Sequence, residues 1–214
     1  MKSSMDTLDL NSPILLMVGQ IILFILFTAL LIKRDKIFRG TKNEFLKFLH
    51  DSIQDVKISF KNPLSSVFFP ILVALIIYFA YRIFVQSSVT QINPDFETLV
   101  FIIVLMTVSG PIAEEVIQCL TLSVAFVGEK HIFKKYSFQE TNLRIYGIMF
   151  TVMILDAIYM AYFHNNKDIT SFFIRMFCFV IYGFLYIIND RNIVPPIIAH
   201  STWNLLVVLG SLTN

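Results

Sequence analysis

Charge is scarce in this sequence. Only 15% of its 214 residues are charged, where a soluble domain carries about 25%. A chain of this size folded in water leaves about a third of its unfolded surface exposed. There is too little charge here to cover that surface, which excludes a conventional soluble globule and a disordered chain. Net charge is only +2. No basic footprint exists to neutralise phosphates, so nucleic acid is excluded as a partner. Cysteine is nearly absent. Cys119 and Cys178 both lie in apolar runs and give neither a disulfide framework nor metal-knuckle spacing. Several catalytic signatures are also missing: H-E-x-x-H, G-x-S-x-G, a P-loop and G-x-G-x-x-G. An aspartyl pair within the membrane would need a second intramembrane Asp beside Asp156. Cys119 is a weak candidate nucleophile, since a buried Cys is usually an inert small hydrophobe. No internal repeat or low-complexity tract is present.

What is abundant is apolar. Hydrophobic residues make up 56% of the chain, 22 of them Phe, and the mean hydropathy is +0.72. A spanning helix needs about 20 largely apolar residues. Six segments qualify: Pro13–Ile32, Leu64–Val85, a long run from Glu97 to Val127, Ile145–Phe163, Ile169–Ile188 and Ile193–Leu212. The long run is interrupted at Ser109-Gly110-Pro111, where proline predicts a kink or a split. The expected fold is all-α: a polytopic integral membrane bundle of about six helices. Residues 1–95 form a two-helix region with a basic loop, and 96–214 form the core. Asp6 and Asp9 beside Lys2, a long apolar run and no small-residue cleavage site favour a retained first helix over a signal peptide.

Lysine and arginine fix the expected orientation. The loops 33–62, 128–144 and 189–192 hold 13 of the 17 basic residues. The opposite side holds Lys2, Arg82 and Lys167, and Arg175 lies within a span. Both termini are therefore expected outside and the basic loops in the cytoplasm. Within the first basic loop Phe45, Leu46, Leu49, Ile53, Val56 and Phe60 recur at roughly helical spacing among charged residues. That pattern suits an amphipathic helix on anionic membrane lipid, or equally a solvated connector.

Ionisable groups inside spans are costly and usually face a bundle interior or a wet cavity. Here they are Glu114, Glu115, Asp156, Arg175 and His200, the last with Asn204 four residues on; His164 ends its span. Any one of them alone is as well explained by an interhelical bond. The adjacent pair Glu114-Glu115 is harder to explain so, because successive helical residues diverge by about 100° and two carboxylates double the desolvation cost. One glutamate can work in a cavity while the other is held by a partner. His200 and Asn204 share a helix face, as do Asp156, Met160 and His164. Three helices can therefore converge carboxylates, imidazoles and a carboxamide, a set suited to activating water. Two His and a Glu also suffice for an open catalytic zinc site. The same groups can act on water without metal, and the sequence leaves both open.

The order of these motifs resembles the CAAX protease and bacteriocin-processing (CPBP, or Abi) family of intramembrane glutamate proteases, often labelled metalloproteases. The family's E-E-x-x-x-R reads Glu114-Glu115-Val-Ile-Gln-Cys119 here, with Cys in place of Arg. Its F-x-x-x-H reads Met160-Ala-Tyr-Phe-His164, and its H-x-x-x-N reads His200-Ser-Thr-Trp-Asn204. The resemblance covers about half the chain. It implies Glu114 as the base that activates water and Glu115 in support. His164 and His200 would hold that water or a divalent metal, with Glu114 as third ligand, and Asn204 would aid the oxyanion. It also implies a hydrophobic, prenylated or exported peptide as substrate, in a prokaryotic plasma membrane.

Arg175 is a candidate to replace the missing Arg beside Glu115, with Asp156 the competing partner. In a plain six-span topology His164 and His200 lie at different depths, so a shared site requires tilted or broken helices. Two other classes compete with the protease: an inactive relative serving immunity or scaffolding, and a small proton-coupled transporter. The inverted repeats common in transporters are not apparent.

Overall fold

The computed structural model describes residues 42–85, 94–136, 142–164 and 169–212, with scattered positions between 18 and 36. The expected first span falls mostly outside them. The described chain is a helical membrane bundle, and no strand forms among the described residues. Its helices are α1 (Glu44–Asp55), α2 (Phe69–Val85), α3 (Phe96–Val104), α4 (Gly110–Tyr136), α5 (Asn142–Phe163), α6 (Ile169–Ile188) and α7 (Val194–Leu212). Leu64–Ile83, Phe96–Ile132 and Ile169–Ile188 are long and apolar enough to cross a membrane. Phe79, Phe150 and Phe173 are each more than half exposed, as side chains facing hydrocarbon should be.

Proline decides the irregular turns. Leu64–Phe68 and Leu105–Ser109 are π-helical, and each ends two residues before a proline, Pro70 and Pro111. Proline lacks an N–H and its ring crowds the carbonyl one turn back. A wider π turn absorbs that conflict without breaking the helix. Of the kink or split expected at Gly110-Pro111, the split does not occur, and one helical run extends from Phe96 to Tyr136. Its apolar part, 37 residues, is about 55 Å long, more than a bilayer core of about 30 Å.

The amphipathic segment is shorter than its pattern predicted. Asn43 caps α1, its Oδ1 accepting from the amides of Phe45 and Leu46. The helix stops at Asp55, because Lys57 turns to pair its backbone with Asn192. Phe60 therefore lies outside the helix. Ile53 and Val56 are buried against Val116, Cys119 and Leu122 of α4, so this face packs on protein. A second cluster joins α5, α6 and α7 through Met160, Phe179, Tyr182 and Ala199.

Basic residues of all three expected same-side loops meet at one end of the bundle. Arg191 Nε stands 2.8 Å from Asp55, and Lys57 pairs with Asp190. Arg191 and Lys130 both lie over the Phe126 ring. Asp190 and Arg191 adopt positive φ, 55° and 61°.

Candidate functional site

Glu114 lies on α4 just past Gly110-Pro111, beside a cavity of about 390 Å³. His164, His200, Arg175 and Asn204 share the lining. His164 Nε2 is 3.3 Å from Glu114 Oε2, and His200 Nε2 is 3.7 Å from the same oxygen. That oxygen is buried and makes a proper hydrogen bond to neither ring. The helices α4, α5 and α7 thus aim three groups at one point.

The outer nitrogens of both rings are committed. His164 Nδ1 is 2.7 Å from the Met160 carbonyl, which can only accept, so Nδ1 carries the proton. His200 Nδ1 is 2.8 Å from Glu115 Oε1. Backing of this kind fixes tautomer and orientation and leaves Nε2 for chemistry. Aromatic walls hold the rings in place. Tyr182 stacks on His200 at 4.8 Å, and Phe179 contacts His164 at 5.5 Å and His200 at 5.6 Å. Neither wall residue was singled out in the sequence, where an aromatic pair three apart on an apolar helix reads as ordinary core.

The expected depth mismatch between the histidines does not arise. His164 folds back along its own helix onto Met160, which brings its ring inward to Glu114. The two glutamates diverge as their spacing requires: Glu114 reaches the cavity, and Glu115 is fully buried behind it against His200. Arg175 does not serve Glu115. It lines the cavity with Glu114 and its Nη1 donates to the His164 carbonyl at 3.4 Å. Asp156 is buried against Gln118 and does not line the cavity. Cys119 is fully buried in the α1–α4 core. Asn204 does line the cavity, but its Nδ2 donates to the Met106 carbonyl at 2.7 Å.

As placed, no group of three or more His, Cys, Asp or Glu among the described residues meets the geometry of a metal site.

The family model of the type II CAAX prenyl endopeptidases, Rce1-like, matches residues 96–206, slightly more than half of the chain. The chain belongs to that family. No curated protein and no solved structure matches it.

Proposed function

We propose, from membership in this peptidase family, that the chain is an intramembrane endopeptidase using water activated by Glu114. The observation that carries this reading is the convergence of both Nε2 atoms on Glu114 Oε2, 3.3 and 3.7 Å away, inside a cavity. A water held there gives a proton to Glu114 as its oxygen adds to the scissile carbonyl. His164, the nearer ring, orients that water through the Nε2 lone pair. His200, held through Nδ1 by Glu115, presents its Nε2 to the same water. Glu114 then passes the proton to the leaving amine, and the C–N bond breaks.

The substrate is a hydrophobic, lipidated or exported peptide, because the cavity lies between apolar helices and includes the aromatic rings of Tyr81 and Trp203. We place the basic end of the bundle in the cytoplasm of a prokaryotic cell and both termini outside. The test is cleavage of a lipidated peptide by full-length protein in liposomes, with Glu114→Ala and His200→Ala alongside. Undiminished cleavage in either variant overturns these roles. Cleavage is expected to persist in chelator.

One observation favours a second reading, an inactive relative acting in immunity or as a scaffold. Glu115 Oε2 is buried without a hydrogen-bond partner, and Cys119, one turn on, offers no cation. Under that reading wild type is inert, and Cys119→Arg raises turnover.

A further inference from the structure

Asn204 has a task that the π turn creates. In a regular helix the Met106 carbonyl would accept from the Gly110 amide four residues on. Here the Gly110 amide goes to Leu105 O instead, closing the π turn. The next donor in π register would be residue 111, which is proline and has no N–H. Met106 O is thus left without a donor along its own helix, within an apolar run where water is scarce. Backbone groups at membrane depth must find a partner. Asn204 supplies it across 98 positions of sequence, Nδ2 to Met106 O at 2.7 Å. The turn itself is tight: a methyl group on Gly110 would stand 2.9 Å from Leu105 O. Glu114 follows Gly110 by one helical turn.

We infer that Asn204 is a positioning residue, which holds the Leu105–Ser109 π turn through Met106 O and thereby sets Glu114 against the two histidines. The sequence pointed to a donor for the oxyanion. The Nδ2 amide carries two N–H bonds, and the one on Met106 O is spent on the turn. Asn204 also follows His200 by one turn of α7, so the same bond ties the helix of the backing histidine to the helix of the base. The inference rests on the protease reading of the site for its kinetic arm alone.

Two backgrounds test it, using full-length protein in lipid nanodiscs. In the native background, Asn204→Ala and Asn204→Asp both remove the donor. Each is expected to lower kcat about ten- to a hundredfold with KM little changed, the scale of a misplacement near 1 Å. Hydrogen exchange of the Ile112–Glu115 amides is expected to rise in both. The second background is Pro111→Ala, which returns an N–H to the helix and gives Met106 O a donor in either α or π register. There the loss from Asn204→Ala is expected to shrink to about threefold or less, the coupling of groups acting through one contact. An equal fold-loss in both backgrounds overturns the inference and makes Asn204 a direct donor to substrate. Unchanged exchange in Asn204→Ala overturns it as well. The exchange arm needs no activity: if wild type fails to cleave, the protease reading falls while the π-turn clamp is still decided.

Discussion

Two polar regions tie α4 to α7, and they are built on opposite terms. At the basic end, charged groups face opposite charges and the Asn192 amide is matched on both sides. The Asn192 side chain accepts from the amides of Ser59 and Val194 and donates to the Ser59 carbonyl. Asp55 accepts from Ser123 and faces Arg191. In the cavity the matching is left incomplete. Each imidazole is secured through Nδ1, yet Glu114 Oε2 sits between two Nε2 atoms without a proper hydrogen bond to either. Buried polar atoms are normally paired. A region that pairs its groups is a fastening. A region that secures its outer atoms and leaves the inner ones facing a cavity is arranged to act on something else.

The sharpest way to break this contrast is at Glu114. Glu114→Gln keeps the shape and removes the base. It is expected to lower kcat by about 10²–10⁴-fold with thermal stability unchanged, read from peptide cleavage and a melting curve on the same preparation. A loss of stability as large as the loss of rate would make the cavity a fastening too.

Glu115 should fall between the two regions, since it is fully buried yet only backs His200. Glu115→Gln retains an acceptor for Nδ1 but loses the charge that strengthens the hydrogen bond holding the ring. A drop of about 10–100-fold is expected, the usual cost of removing a supporting carboxylate. Equal rates in both forms would show that an amide holds the His200 ring as well as the carboxylate does.

How much of this was legible beforehand depended on the range of the cause. Helix positions from Leu64 onward followed from hydropathy, because a bilayer imposes length and apolarity residue by residue. Glu114, His164 and His200 were legible as a set, because charge is so rarely kept in a span. Their convergence was expected from the helix faces, but a depth estimate stood against it, since it counted backbone rise and ignored the backward fold of His164 onto Met160. Pro111 announced a disturbance, but whether a helix breaks or widens depends on a partner for the freed carbonyl. That partner, Asn204, is 98 positions away. The end of α1 was misjudged for the same reason: its periodicity continues to Phe60, and only the pairing of Lys57 with Asn192 stops it.

A packing variant probes the bundle that holds both regions. A methyl group on Gly183 of α6 would stand 2.8 Å from Met153 Cγ and 2.9 Å from its Sδ. Gly183→Val forces α5 from α6 and is expected to cost about 1–3 kcal/mol, measured by denaturation in detergent. Gly183→Ala should cost less, because the Met153 side chain can turn aside. If valine costs no more than alanine, the α5–α6 contact is looser than the structure requires.

The smallest effect belongs to the fastening, and it depends on pH. A hydrogen bond from Lys57 holds Asp190 below the usual carboxylate range, so its contribution exists above about pH 3.9 and is lost as pH falls through the depressed value. Asp55 is the reverse: burial, only partly offset by Arg191, pushes its carboxyl up. Its charged form is a cost at neutral pH, and that cost is relieved as pH falls through the raised value. Mild acid should therefore stabilise the basic end slightly before stronger acid loosens it. The Asp190 side chain is 74% exposed, so solvent screens its share heavily. Melting curves from pH 7 to pH 3 should show the rise vanish in Asp55→Asn and the fall weaken in Asp190→Asn. Cleavage kinetics at pH 7 in Asp190→Asn should match wild type. A large change there would mean that the strained turn at Asp190-Arg191, nine residues before His200 on the chain, steers the site as well as fastening the bundle.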